Sequence, residues 1–241
     1  MRRCILIVPY FGRFHNYFQL FLDSCAFNSD FDWIIFTDDE RKFRYPSNVK
    51  VIYTKFETIV NRFRNILDFK ICLDNPYKLC EYKNLYGLAF QKEINGYEFW
   101  GYCDVDLIFG KISDYITNDI LENYDRVLSR GHLTLMRNIE KVNNMYKIID
   151  KRIPLNYRYA FTTHYICHFD ENEHWSAVAE DNGIRVWSHV IYADIDCEKF
   201  SFHLIYGNCK NKRQIFIHRS NGRLKRYYIE KKKKNHVKSD E

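Results

Sequence analysis

The chain has 241 residues, 46% of them hydrophobic and 17% aromatic, which suits one domain with a sizeable core. No apolar run reaches the ~18 residues a bilayer-spanning helix needs. The net charge of +6 gathers late: residues 207–238 hold 12 Lys/Arg against one acid, and such terminal placement argues against a nucleic-acid-binding fold.

The opening MRRCILIVPYFG is charged and then apolar, but its apolar part, Cys4 to Pro9, is too short for a signal peptide and reads as a buried strand. Residues 15–26 follow as a helix with Phe18, Phe21, Leu22 and Cys25 on one face. Strands are expected at Trp33 to Phe36 and Val49 to Tyr53, and helices over 56–67 and 78–92, the latter with Pro76 near its start. Tyr97 to Cys103 reads as a strand, followed by a helix at 112–123 and strands at 125–128 and 132–136. The later pattern is less regular, with a helix at 171–182, strands at 184–192 and 214–218, and Asn221-Gly222 as a hairpin turn. None of the eight cysteines forms a C-x-x-C pair, and several lie in apolar runs, so they read as reduced core thiols of a cytoplasmic protein.

Strands alternating with helices predict an α/β fold with an open, Rossmann-like mixed sheet flanked by helices. Ligands of such sheets lie beyond the carboxyl ends of the strands, and three polar clusters fall there, at 10–13, 37–39 and 104–106.

Asp104-Val105-Asp106 is the sharpest of these. Two carboxylates one residue apart at the end of a buried strand can meet one hard cation, Mn²⁺ or Mg²⁺, which in turn bridges to phosphate oxygens. Asp30-Phe31-Asp32 has the same spacing but reads as a turn; Asp194-Ile195-Asp196 follows an apolar run and is a genuine rival. Asp38 is placed to accept a ribose hydroxyl or a base N–H, and the turn Pro9, Tyr10, Phe11, Gly12 offers an aromatic ring and a main-chain N–H to a uracil. Lys78 and Lys83 flank Glu81; on an α-helix Lys83 would lie nearly opposite Glu81, and Lys78 could reach a diphosphate. In Ser129-Arg130-Gly131-His132, Gly131 permits close backbone approach and Arg130 can fork onto phosphate, with His132 beside them. Asp170, Glu171 and Glu173 open an expected helix and are candidates for a general base; the alternative is ordinary helix-start acids. His218, near the end of the last strand pattern, is a candidate third metal ligand.

Taken together, VPYFG, IIFTDD, YKLCEYKNLYG, FWGYCDVDLIFG, SRGHLTLMRN and FIHRSNGRLKRYY resemble a family of bacterial glycosyltransferases encoded in capsule and O-antigen gene clusters, over about residues 4–228. The resemblance implies a GT-A type fold, with Asp104 and Asp106 holding Mn²⁺ or Mg²⁺ and the donor diphosphate, and with the 9–12 loop and Asp38 at the nucleoside. It implies a nucleotide-sugar-binding half over 1–136 and an acceptor-side half over 137–230, and the Lys-rich composition reads as a basic disordered tail over 231–241. The expected reaction moves a hexose from a UDP-sugar to a lipid-linked or oligosaccharide acceptor. Lys231 to Lys234 would then touch an anionic membrane, placing a cytoplasmic protein peripherally on its inner face. The rival readings are a nucleotidyltransferase acting on sugar phosphates and a non-catalytic nucleotide- or carbohydrate-binding protein.

Overall fold

A computed structural model describes residues 3–195, 204–207, 213–229 and 237–240. The chain forms β1 (Cys4–Pro9), α1 (Phe18–Ala26), β2 (Phe31–Thr37), β3 (Val49–Tyr53) and α2 (Phe56–Arg64). A 3₁₀ helix (Pro76–Leu85) leads into two short helices, α3 (Tyr86–Ala89) and α4 (Gln91–Ile94), and then β4 (Phe99–Cys103). Next come α5 (Asn118–Asn123), β5 (Arg126–Arg130), β6 (Leu133–Arg137), α6 (Glu140–Asn143), α7 (Tyr157–Thr162), α8 (Trp175–Asp181) and β7 (Val186–Trp187). The last strands are β8 (Ala193–Ile195), β9 (Leu204–Gly207), β10 (Arg213–Ser220), β11 (Arg223–Ile229) and β12 (Val237–Asp240).

Seven strands make one open sheet in the order β3-β2-β1-β4-β6-β5-β7. Its pairs are parallel except where β6 runs against β4 and β5. This is the expected α/β, Rossmann-like mixed sheet. Alternation along β1 sends Ile5 and Ile7 into the core under α2 and the 3₁₀ helix, while Cys4, Leu6 and Val8 face the core around α1. Helices therefore cover both faces, which is why β1 reads as a continuous apolar run. The described cysteines, Cys4, Cys25, Cys72, Cys80, Cys103 and Cys167, are all free thiols.

Several expected elements are shorter or different. α1 begins at Phe18 rather than 15, α8 at Trp175 rather than 171, and the strand expected over 184–192 is only Val186–Trp187. The expected α-helix over 78–92 is mostly 3₁₀: Asn75 caps it by accepting the Lys78 N–H at 3.2 Å, with Pro76 in its first turn. The Asn221-Gly222 turn forms as expected, with φ of +49° and +79°, between Ser220 and its partner Arg223. Arg219 lies 4.2 Å from the Phe27 ring just after α1, and Arg223 pairs with Asp114 at 3.1 Å, docking this hairpin against the end of α1 and the 112–114 turn. Within the segment expected to be a disordered tail, Val237–Asp240 pairs with β11 as an edge strand, a correction that sequence composition hides because Lys238 and Asp240 break the apolar pattern. Lys231 to Lys234 lie outside the described residues. Among the described residues, no helix is long and apolar enough to cross a membrane.

Candidate functional site

The carboxyl ends of β1, β2 and β4 lie side by side, since β1 pairs with both of the others in parallel. After β1 the chain turns through Gly12, whose φ of +96° favours a residue without Cβ. Asp38, beyond the end of β2, accepts the Gly12 N–H at 2.7 Å, and Asp39 accepts the Phe14 N–H at 2.9 Å. The Arg41 guanidinium beside Asp39 holds that carboxyl well below its ordinary range. The two acids after β2 thus fix the 10–14 turn. One oxygen of Asp38 and the Gly12 N–H, both expected to meet a nucleoside, are spent on each other; the other Asp38 oxygen stays on an exposed residue. Phe11 is a core residue set edge-on to Phe56, so it offers no stacking face, whereas Tyr10 is half-buried and stacks on Phe14 at 4.5 Å. Pro9 is half-buried at the end of β1.

Asp104 follows β4. Because β6 starts beside the end of β4, the 129–132 turn arrives next to it, and the Asp104 N–H donates to the His132 carbonyl at 3.2 Å. A bulge in β5, where Leu128 takes φ of +67°, shapes the approach to that turn. Lys83 Nζ reaches Asp104 Oδ1 at 3.0 Å, the Gly131 carbonyl at 3.3 Å and Asp170 Oδ2 at 3.6 Å. His132 Nδ1 is 3.5 Å from Asp104 Oδ2. Burial alone would raise Asp104, but His132 and Lys83 outweigh it and hold the carboxyl below its ordinary value. Burial likewise works against the Lys83 ammonium, and Asp170 and Asp104 more than compensate, so it stays charged. The Asp104 contact raises His132, with Glu171 and Asp194 adding to it. Asp194, the rival acid, therefore borders the same cluster from β8.

Asp106 is exposed beyond Asp104 and close enough to Tyr10 to raise its phenol, after burial and Tyr17 and Asp39. Arg130 is exposed on the turn. Asp170 is only 2% exposed, and burial pushes it up to about 7 despite Lys83. Glu171 presses its carboxylate onto Gly131: a Cβ there would lie 1.9 Å from Glu171 Oε1.

Two sequence candidates fall elsewhere, and a third, His218, is not described at its side chain. Lys78 is buried with its ammonium on the Tyr165 carbonyl, away from the Asp104 cluster. Glu173 points to solvent, 77% exposed and beside His174, because α8 starts after it rather than at 171. His218 sits on β10 opposite Lys225, and its side chain lies outside the described residues. The sequence reading missed Glu81. This fully buried carboxylate accepts the N–H groups of Cys167 (2.6 Å), His168 (2.8 Å) and Phe169 (3.2 Å), and so sets Asp170 and Glu171 over Lys83. The signal was the period: in a 3₁₀ helix residues three apart eclipse, and Lys78, Glu81 and Asn84 are all fully buried.

A cavity of about 500 Å³ lies at the opposite end of the sheet, among Asp32, Ser47, Asn48, Lys50 and Lys92 at the amino ends of β2 and β3, and has no part in this cluster.

The chain belongs to a family of unknown function, DUF6625, whose model matches residues 6–240. A comparison with curated proteins finds no match.

Proposed function

We propose that this chain is a metal-dependent glycosyltransferase of GT-A type that moves a hexose from a UDP-sugar to a lipid-linked or oligosaccharide acceptor of polysaccharide synthesis. The observation that carries this reading is the cluster of charged side chains at the ends of β1, β2 and β4. There Asp104 and Asp106 stand with Lys83, His132 and Glu171, beside a turn fixed by Asp38.

Mn²⁺ or Mg²⁺ fits this donor set. Such a cation keeps several waters and needs only one or two carboxylates besides substrate phosphates, and Asp106 is an exposed carboxylate two residues from Asp104. When bound, it would neutralise charge developing on the departing diphosphate. Lys83 keeps Asp104 ionised and oriented, and adds a positive charge that solvent does not screen well. Arg130, exposed on the adjoining turn, can fork onto a phosphate. The half-buried Tyr10 ring offers a face for the base. Glu171 is the carboxylate best placed to take a proton from an acceptor hydroxyl: it is partly exposed, adjoins Gly131 and raises His132. Asp170 acts beneath it by holding Lys83. The basic residues near the end of the chain would draw the protein to an anionic membrane face, where a lipid-linked acceptor resides.

The test is donor hydrolysis across a panel of UDP-sugars with Mn²⁺. At least one donor should be cleaved slowly, and chelator should stop it. Binding of a UDP-sugar without cleavage or transfer would favour a non-catalytic binding protein. Neither binding nor cleavage of any UDP-sugar would overturn the reading.

A further inference from the structure

Away from this cluster, Cys72, Asp74 and His164 bring one ligand atom each to a common point. The three atoms lie within 4.8 Å of one another, the one such grouping of three among the described residues. Cys72 Sγ is 3.2 Å from His164 Nδ1, and that same Nδ1 is 2.9 Å from Asp74 Oδ2. A relay of the thiol–imidazole–carboxylate kind uses both ring nitrogens, one for each neighbour. Here a single nitrogen stands between sulfur and oxygen, which is the arrangement of a chelate.

Hydrogen bonds hold Cys72 and Asp74 in place. The Cys72 N–H donates to the Phe161 carbonyl at 2.7 Å. Tyr82 donates its hydroxyl to both the Cys72 and Phe161 carbonyls and stacks on the Phe161 ring at 4.4 Å. The Asn75 amide holds the other Asp74 oxygen at 3.0 Å, an outer contact that orients the carboxylate. Two segments 90 residues apart are thus preset with a thiol, an imidazole and an acid facing each other.

We propose that Cys72, Asp74 and His164 form a zinc site distinct from Asp104 and Asp106. Zinc accepts sulfur, nitrogen and oxygen at about 2.0–2.3 Å, so tetrahedral ligand atoms stand roughly 3.3–3.8 Å apart, and the Cys72–His164 and His164–Asp74 spacings of 3.2 and 2.9 Å need to open by only a few tenths of an ångström. The thiolate and imidazole favour Zn²⁺ over Mn²⁺ or Mg²⁺, which prefer oxygen alone. Three protein ligands leave the fourth position to water. The location gives the site a consequence. His164 begins the segment that Lys78 and Glu81 then hold at Tyr165 and at Cys167 to Phe169, and that ends at Asp170 and Glu171. Bound zinc would fasten the start of this segment to the stretch before the 3₁₀ helix. The proposal does not depend on sugar transfer.

The experiment titrates the full chain, stripped of metal by chelator, with Co²⁺ and then Zn²⁺. One equivalent of Co²⁺ should give a thiolate-to-cobalt charge-transfer absorption, and Zn²⁺ but not Mn²⁺ should displace it. Cys72→Ser should abolish the band, whereas Cys80→Ser, which alters a thiol outside the cluster, should keep it. His164→Gln should weaken Zn²⁺ binding at least ~10-fold, with unchanged circular dichroism. Because His164 is 81% exposed, this variant decides the matter even if Cys72→Ser fails to fold. Absence of a stoichiometric band, a band retained in Cys72→Ser that folds, or unchanged Zn²⁺ affinity in His164→Gln would overturn the proposal and leave a hydrogen-bonded clasp.

Discussion

Lys83 Nζ stands 3.0 Å from Asp104 Oδ1, so a buried cation from the 3₁₀ helix meets the first carboxylate beyond β4. The same ammonium faces Asp170, which is almost wholly buried. Lys83→Met should therefore cost about 1–3 kcal/mol of stability, because buried Asp170 loses its partner and takes up a proton instead of staying charged. Much of that loss should return in the Lys83→Met, Asp170→Asn double variant. Urea denaturation of the two single variants and the double variant checks this through their coupling.

Asp170 also sets a pH dependence. Burial pushes its carboxyl up to about 7, whereas an unfolded chain titrates it near ~3.9. Between these values the folded state holds a proton that the unfolded state has released. Stability from this group is therefore present at low pH and falls as pH rises from about 4 to about 7. His132, raised by Asp104, has the same sign: its contribution is lost as pH climbs through its folded value. Denaturation midpoints measured across this range should decline more steeply in wild type than in Asp170→Asn.

At Gly131 the constraint is a contact and not a dihedral angle, since the end of the Glu171 side chain occupies the space a Cβ would take. Gly131→Ala would set a Cβ 1.9 Å from Glu171 Oε1 and should displace that carboxylate, at a cost of no more than about 1 kcal/mol because only side-chain ends have to move. Glu171→Ala should remove the clash, so the double variant should melt close to the Glu171→Ala single variant. A full loss persisting in the double variant would place the strain elsewhere in the turn.

Glu81 accepts three main-chain N–H groups from the segment before Asp170. Glu81→Gln keeps the shape, removes the charge and turns a donor toward donors. It should destabilise the protein by about 3 kcal/mol, since bonds to a charged group are worth ~1.5–3 kcal/mol each and only part is lost. Hydrogen exchange should accelerate most at 167–169, with β1 and β4 little changed.

The sheet was legible because each of its central strands is a dense apolar run ending in polar residues, as in Cys4 to Pro9 and Phe99 to Asp104. The Asn221-Gly222 turn was legible from its dihedral demands. The environment of Lys83 and Glu81 was not. An α-period places the two on nearly opposite faces, whereas the 3₁₀ period of about 120° per residue lets both turn inward. Asp170, Glu171 and Glu173 looked equivalent as helix-start acids; long-range anchoring by Glu81 buries the first, wedges the second over Gly131 and leaves the third in solvent. Asp38 was read as free for a ligand because its bond to Gly12 spans 26 residues, beyond any local pattern.

The central claim is that Asp104 and Asp106 bind a uridine diphosphate through a divalent cation. Calorimetric titration of UDP into the full chain, with Mn²⁺ and with chelator, tests it most directly when repeated on Asp106→Asn. UDP should bind in Mn²⁺, and either chelator or Asp106→Asn should weaken binding at least ~10-fold, as expected for loss of one charge-neutralising contact worth more than about 1.4 kcal/mol. Equal UDP affinity with and without Mn²⁺, unchanged in Asp106→Asn, or no UDP binding in either condition, would contradict it.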